Sequence, residues 1–85
     1  MDLEEIMRQR LAAALAPTRL EVIDESEAHR GHAGWRDGGG THWRIRIDAP
    51  ALAPLSRIER HRAIHAALGP DVIGRLHALA IEASG

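Results

Sequence analysis

The chain has 85 residues, is 45% hydrophobic, carries a formal charge of −1 and contains no cysteine. That length points to one small domain over residues 1–85 with a modest core. The lack of cysteine excludes a disulfide framework, a four-cysteine zinc site and a thiol nucleophile, and the balanced charge excludes a gross basic field for nucleic acid or membrane.

The core must be aliphatic, because Phe and Tyr are absent and the only aromatics are Trp35 and Trp43. All 11 basic residues are arginine, the better residue for bidentate contacts to phosphate or carboxylate. No apolar run approaches the roughly 18 residues of a membrane span. The acidic, amphipathic N-terminus is unlike a signal peptide. A soluble cytoplasmic protein is expected.

Leu3, Ile6, Met7, Leu11, Ala14 and Leu15 recur at helical spacing, with Asp2 and Glu5 as a variant capping box and Pro17 as the stop. Leu20 to Asp24 reads as a short strand. Residues 42–48 alternate: Trp43, Ile45 and Ile47 point one way, and His42, Arg44, Arg46 and Asp48 the other. That is a half-buried strand with one polar face, which places His42 at the surface.

Between these strands runs a glycine-rich loop of roughly 16 residues, longer than is usual in a compact domain. It contains His29, His32 and Trp35. Pro50 and Pro54 mark the exit from the second strand. Ser56 and Glu59 form a capping box for a helix that ends before Gly69-Pro70. Asp71 to about Gly74 adds a turn, and Leu76 to Ala83 reads as a third strand. The order is αββααβ, an α+β domain with helices packed on one face of a three-stranded sheet. The Arg44/Arg46 face then looks to solvent, and the last two strands are parallel.

Six histidines in a chain this short is a high count. A neutral imidazole is a good iron or zinc ligand, but His29-x-x-His32 alone makes a weak zinc site, and solvated loop histidines are the plain alternative. His61 falls on the arc of Ile58, Ile64, His65 and Leu68, which favours a packed, hydrogen-bonded ring over a ligand. Gly38-Gly39-Gly40 lacks the pattern and context of a phosphate loop. No catalytic constellation stands out, so an enzyme with a small-molecule substrate is not expected.

Several stretches together carry a family likeness. They are Val22-Ile23-Asp24-Glu25-Ser26 followed by His29, Thr41-His42-Trp43, Arg60-His61-Arg62, and His77-Ala78-Leu79. In this order and spacing, over nearly the whole chain, they resemble the BolA family. The resemblance implies a fold similar to the class II KH fold. It also implies a heterodimer with a monothiol glutaredoxin and a shared 2Fe-2S cluster. The glutaredoxin supplies a cysteine and glutathione a second thiolate. The BolA protein supplies a histidine at the start of the last strand, here His77, and a His or Cys in the first loop, here His29 ahead of His32. No cofactor is expected for the chain alone. Three positions depart from the family pattern: Leu52 and Pro54 stand where an aromatic and a glycine are usual, and Trp43 stands where phenylalanine is usual.

Some bacterial members of the family are transcriptional regulators, which gives the alternative of DNA binding. Arg44, Arg46, Arg57, Arg60 and Arg62 would then contact phosphates. The net charge, the two aromatics and the lack of a Gly-x-x-Gly clamp joining the two consecutive helices weigh against it. A metal-free interaction module is the third expectation.

Overall fold

A computed structural model describes residues 2–26 and 41–85. Its elements are α1 (Leu3–Leu15), β1 (Arg19–Asp24), β2 (His42–Asp48), a 3₁₀ turn (Pro50–Leu52), α2 (Arg57–Leu68), α3 (Pro70–Ile73) and β3 (Ala78–Ser84). This is the α+β, αββααβ arrangement that the sequence predicts.

The helix ends follow local chemistry. The Asp2 side chain accepts from the Glu5 N–H at 2.9 Å and caps α1. α1 ends at Ala16, whose N–H makes the last helical bond, to Ala12 O, and whose left-handed backbone (φ 46°) turns the chain out of the helix before Pro17. Ser56 and Glu59 form the full reciprocal capping box of α2. Gly69, at φ 86°, closes α2, and a Cβ there would sit 2.9 Å from Asp71 Oδ1. Arg10 of α1 ties this corner together: Nη1 donates to Leu68 O at 2.6 Å, and the guanidinium grips Asp71 at 2.8 and 3.0 Å.

The sheet order is β1-β2-β3. β1 runs antiparallel to β2, pairing Val22 with Ile45 and Ile23 with Arg44. β3 runs parallel to β2, pairing Ile45 with Ile81 and Arg46 with Glu82. The register puts Val22, Ile45 and Ile81 on one face and Glu21, Arg46 and Glu82 on the other. The apolar face meets Met7 and Leu11 of α1, Leu52 of the 3₁₀ turn, Ile64 and Leu68 of α2, and Val72 of α3 in one buried core.

Three expectations need correction. β3 begins at Ala78, not Leu76. The N–H groups of Arg75 and Leu76 bond back to Val72 and Ile73, extending the α3 turn, and the first ladder bonds run from His77 and Ala78 to Thr41 O. α2 buries only part of the arc of Ile58, His61, Ile64, His65 and Leu68: Ile64 and Leu68 are buried, while His65 is exposed and Ile58 is 64% exposed. Several alanines on both sides of the helix blur its apolar stripe, and packing against the sheet sets the rotation instead. Finally, His42 is not a surface residue; it is 5% exposed.

Candidate metal-ligand site at the loop neck

β1 and β2 are closed at one end by a buried polar knot. Beyond the ladder, Glu25 N–H donates to His42 O at 2.7 Å. Asp24 Oδ1 accepts from Ser26 N–H at 2.9 Å, which turns the chain out of β1. Ser26 Oγ then accepts from the backbone N–H of Thr41 at 2.8 Å and of His42 at 3.2 Å, and lies 3.1 Å from Thr41 Oγ1. Ser26 and Thr41 are buried at 1% and 0% exposure, so each of these bonds satisfies a group that water cannot reach. The knot therefore fixes the chain on both sides of residues 27–40, which lie outside the described residues.

His77 stands beside this neck. Its backbone N–H donates to Thr41 O at 2.9 Å, which anchors the residue at the mouth of β3, and its side chain is exposed. Its ring centroid lies 5.2 Å from that of His42, with the planes tilted by 58°. His42 Nδ1 is 2.9 Å from Thr41 Oγ1. The structure thus brings the first candidate ligand, His77, against both the loop's end and a buried second histidine. His29 and His32 lie outside the described residues. Among the described residues no three His, Cys, Asp or Glu side chains converge to hold a metal ion. An exposed imidazole at a fixed backbone position can serve as one metal ligand but does not hold a metal by itself.

The arginines divide sharply. On the open face of the sheet, Arg44 contacts Glu25 at 2.9 Å and Glu82 at 2.7 Å, and Arg46 contacts Glu82 at 3.2 Å and Glu21 at 3.6 Å. Hydrogen bonds from Arg44 and then Arg46 hold the Glu82 carboxyl below its ordinary range, and Glu25 and Glu82 raise the Arg44 guanidinium. Arg60 is turned inward: Nε donates to Leu52 O at 3.0 Å and Leu55 O at 3.1 Å, and Nη1 to Ala83 O at 3.2 Å. It links the 3₁₀ turn, α2 and β3, and its donors are taken up by carbonyls within the chain. Arg62 is exposed on α2 beside His61 and His65.

The residues that alternation alone missed are His42 and the Ser26–Thr41 pair. The available signal was three hydrogen-bonding side chains flanking one long loop. The junction of α2 and α3 carries Gly69-Pro70, without a Gly-x-x-Gly clamp. The chain does contain Gly31-His32-Ala33-Gly34, but that tetrapeptide belongs to the β1–β2 loop, outside the described residues.

Residues 11–85 match the family described as BolA-like protein. A Sinorhizobium protein, described as an uncharacterized protein in the cobS 5' region, is 48% identical over 83 residues, covering 96% of this chain and 89% of its own length. BolA-like protein 1 of Pongo abelii is 40% identical over 80 residues; the match covers 94% of this chain and 56% of that protein, so the chain spans little more than half of that relative. The solved BolA domain of SufE1 from Arabidopsis thaliana superposes with a TM-score of 0.82 at 36% identity, covering 99% of this chain and 92% of that one. Fold, motif order and these likenesses agree: the chain belongs to the BolA family.

Proposed function

We propose that this domain is an accessory protein of iron–sulfur cluster trafficking or sensing. It binds a monothiol glutaredoxin and shares a bridging 2Fe-2S cluster with it. His77 supplies one ligand, and the β1–β2 loop supplies the other through His29, with His32 as the second choice. The observation that carries this reading is the exposed His77 side chain, anchored through its backbone to Thr41 at the root of that loop. The likeness to a BolA domain of SufE1 supports the same setting.

Histidine ligands in place of thiolates remove negative charge, which raises a cluster's reduction potential. The chain's own part is to present a neutral imidazole at a fixed point and to let a loop ligand close on it. A ligand borne on a loop releases its cargo more readily than a rigid cage, which suits relay. The proposed role involves no substrate turnover.

DNA binding is the weaker reading. Arg44, Arg46 and Arg60 are engaged by carboxylates or carbonyls within the domain, which leaves Arg57 and Arg62 for phosphates.

The test is anaerobic reconstitution with a monothiol glutaredoxin, glutathione, iron and sulfide, followed by visible absorption and circular dichroism. The expected result is a spectrum distinct from that of glutaredoxin alone, which reverts in His77→Ala. An unchanged spectrum, with the two proteins eluting apart, overturns the proposal.

A further inference from the structure

Among the described residues β3 forms one border of the sheet, with no strand on one side of its backbone. Along a parallel strand, successive residues alternate in the side to which both N–H and C=O point. Ala78 N–H donates to Thr41 O at 3.2 Å, and Ser84 O accepts from Ala49 N–H at 3.0 Å. Ala78, Ala80, Glu82 and Ser84 therefore face β2, and Leu79, Ile81 and Ala83 face outward. Arg60 Nη1 covers the outward carbonyl of Ala83. The main-chain groups of Leu79 and Ile81 have no strand beside them among the described residues. An uncovered edge of this kind is a template for strand addition.

A groove of about 470 Å³ runs between this edge and α2, lined in part by Leu55, Arg57, His61, Ile81, Ala83 and Glu82, whose carboxylate is held by Arg44 and Arg46. Arg57 and His61 also border a second depression of about 370 Å³, shared with Ile58, Arg62 and His65. Arg8, Arg10, Arg19, Arg44 and Arg46 each have a carboxylate partner within the domain. Arg57 and Arg62 have none among the described residues. Both lie on α2: Arg57 lines the groove beside the bare edge, and Arg62 lines the adjoining depression.

We propose that β3 and this groove take an extended acidic segment of a partner protein as a fourth strand. Main-chain bonds to Leu79 and Ile81 supply the docking; on the strand face turned to α2, apolar side chains rest on Leu55 and Ile81, and carboxylates two residues along meet Arg57, with Arg62 in the adjoining depression. This is recognition by strand addition, with pockets beside the edge selecting alternate side chains. Charge selects this occupant over a second copy of the chain. A two-fold pairing of two β3 edges sets both α2 helices, each with its unpaired arginines, on one side of the joined sheet. The groove lies along the later half of β3, and the nearest main-chain contact, Leu79, is two residues or about 7 Å along the strand from His77, but none of the contacts invokes the His77 ring. The proposal therefore goes beyond cluster sharing, and its test needs neither metal nor glutaredoxin.

The probe is the octapeptide Val-Thr-Glu-Thr-Val-Thr-Glu-Thr, which puts valine and glutamate on the one strand face that meets α2, titrated into the isotope-labelled chain while amide signals and amide hydrogen exchange are followed. Saturable binding is expected, with exchange at Leu79 and Ile81 slowed about tenfold or more. The peptide with lysine for glutamate binds about tenfold more weakly or worse, and the exposed double variant Arg57→Glu/Arg62→Glu reverses that preference. Four results each overturn the proposal: no saturation at millimolar peptide, binding that leaves Leu79 and Ile81 unprotected, self-association protecting those amides without peptide, or a DNA oligonucleotide protecting them where the peptide does not.

Discussion

His42 and His77 stand with ring centroids 5.2 Å apart at the mouth of the β1–β2 loop, one buried and one exposed. The contrast separates two roles. His77 presents its ring outward and is held by its backbone. His42 is hydrogen-bonded to Thr41 and sits inside the polar knot. His77→Ala is expected to change folding stability by less than about 0.5 kcal/mol, as for exposed residues generally. His42→Ala removes a buried, bonded ring and is expected to cost about 1–2 kcal/mol. Urea melts of the two variants, without metal, check this. Equal losses would mean that His77 is a packing residue, and its place as a ligand would fall.

The same knot makes Ser26 a sensitive position. Ser26→Ala strips the acceptor from two backbone N–H groups, those of Thr41 and His42, in a region closed to water. An unsatisfied buried donor costs about 1–3 kcal/mol. A loss of about 2 kcal/mol or more is expected, together with faster amide exchange at Thr41 and His42 and earlier proteolysis within residues 27–40. Ser26→Thr, which keeps the hydroxyl, should recover part of the stability. A neutral Ser26→Ala would show that another group serves those donors.

Arg60 changes how a DNA or partner experiment must be designed. Its guanidinium joins Leu52 and Leu55 to Ala83 across three elements. Charge-assisted hydrogen bonds of this kind contribute about 1.5–3 kcal/mol each, with sharing of donors lowering the sum. Arg60→Ala is expected to lose about 2–3 kcal/mol, and Arg60→Lys to regain less than half of it, since an ammonium cannot span the same fork. Loss of binding in an Arg60 variant would then report the fold. Arg57 and Arg62, exposed on α2, are the positions to test. Thermal melts settle the matter: an Arg60→Ala protein as stable as wild type would free Arg60 for a contact role.

The charged face of the sheet should make the domain acid-sensitive. Arg44 and Arg46 depress the Glu82 carboxyl, and Arg19 followed by Arg46 depresses that of Glu21. Their folded-state affinity for protons lies below that of the unfolded chain, near pH 4.3 for glutamate. The unfolded chain takes up protons first as pH falls. The stabilisation is therefore present above about pH 4.3 and is lost as pH drops through the depressed values. Thermal midpoints should fall from about pH 5 to about pH 3, with a shallower slope in Glu82→Gln. Glu82 is 51% exposed, so added salt should flatten the profile as well. A Glu82→Gln profile parallel to that of wild type would remove Glu82 from the account.

What the sequence made legible follows from how strongly each element's chemistry determines it. β2 reads directly, because Trp43, Ile45 and Ile47 alternate with charged residues and the strand is half-buried. α1 and α2 begin where Asp2 and Ser56 cap them. The rotation of α2 was not legible, because alanine fits either face and Ile58 marks the wrong one. Nor was the inward turn of Arg60, since a carbonyl cluster made by three separated segments leaves no local pattern. His42 shows the same limit: alternation assigns a sheet face, and only the packing of Thr41, Ser26 and His77 decides whether that part of the face is wet. His77 was placed by family likeness rather than by spacing, and its neighbour His42 emerged from the structure.

Trp43 offers a test of packing against polar satisfaction. It occupies the position where the BolA pattern usually has phenylalanine, and it is 5% exposed in the core between Asp24 of β1 and Leu79 of β3. Its indole Nε1 is buried without a hydrogen-bond partner among the described residues. Such an orphan donor costs about 1–3 kcal/mol. Truncating a buried aromatic to alanine typically costs about 3–5 kcal/mol, much of it for the cavity. Trp43→Phe removes the donor but keeps most of the ring, so the two effects oppose each other. The variant is expected to lie within about 1 kcal/mol of wild type, while Trp43→Ala loses about 3 kcal/mol or more. Far-ultraviolet circular dichroism in urea is the suitable readout, because the substitution removes the tryptophan that would report by fluorescence. A Trp43→Phe loss above about 2 kcal/mol would show that indole volume, rather than the unpaired N–H, dominates at this position.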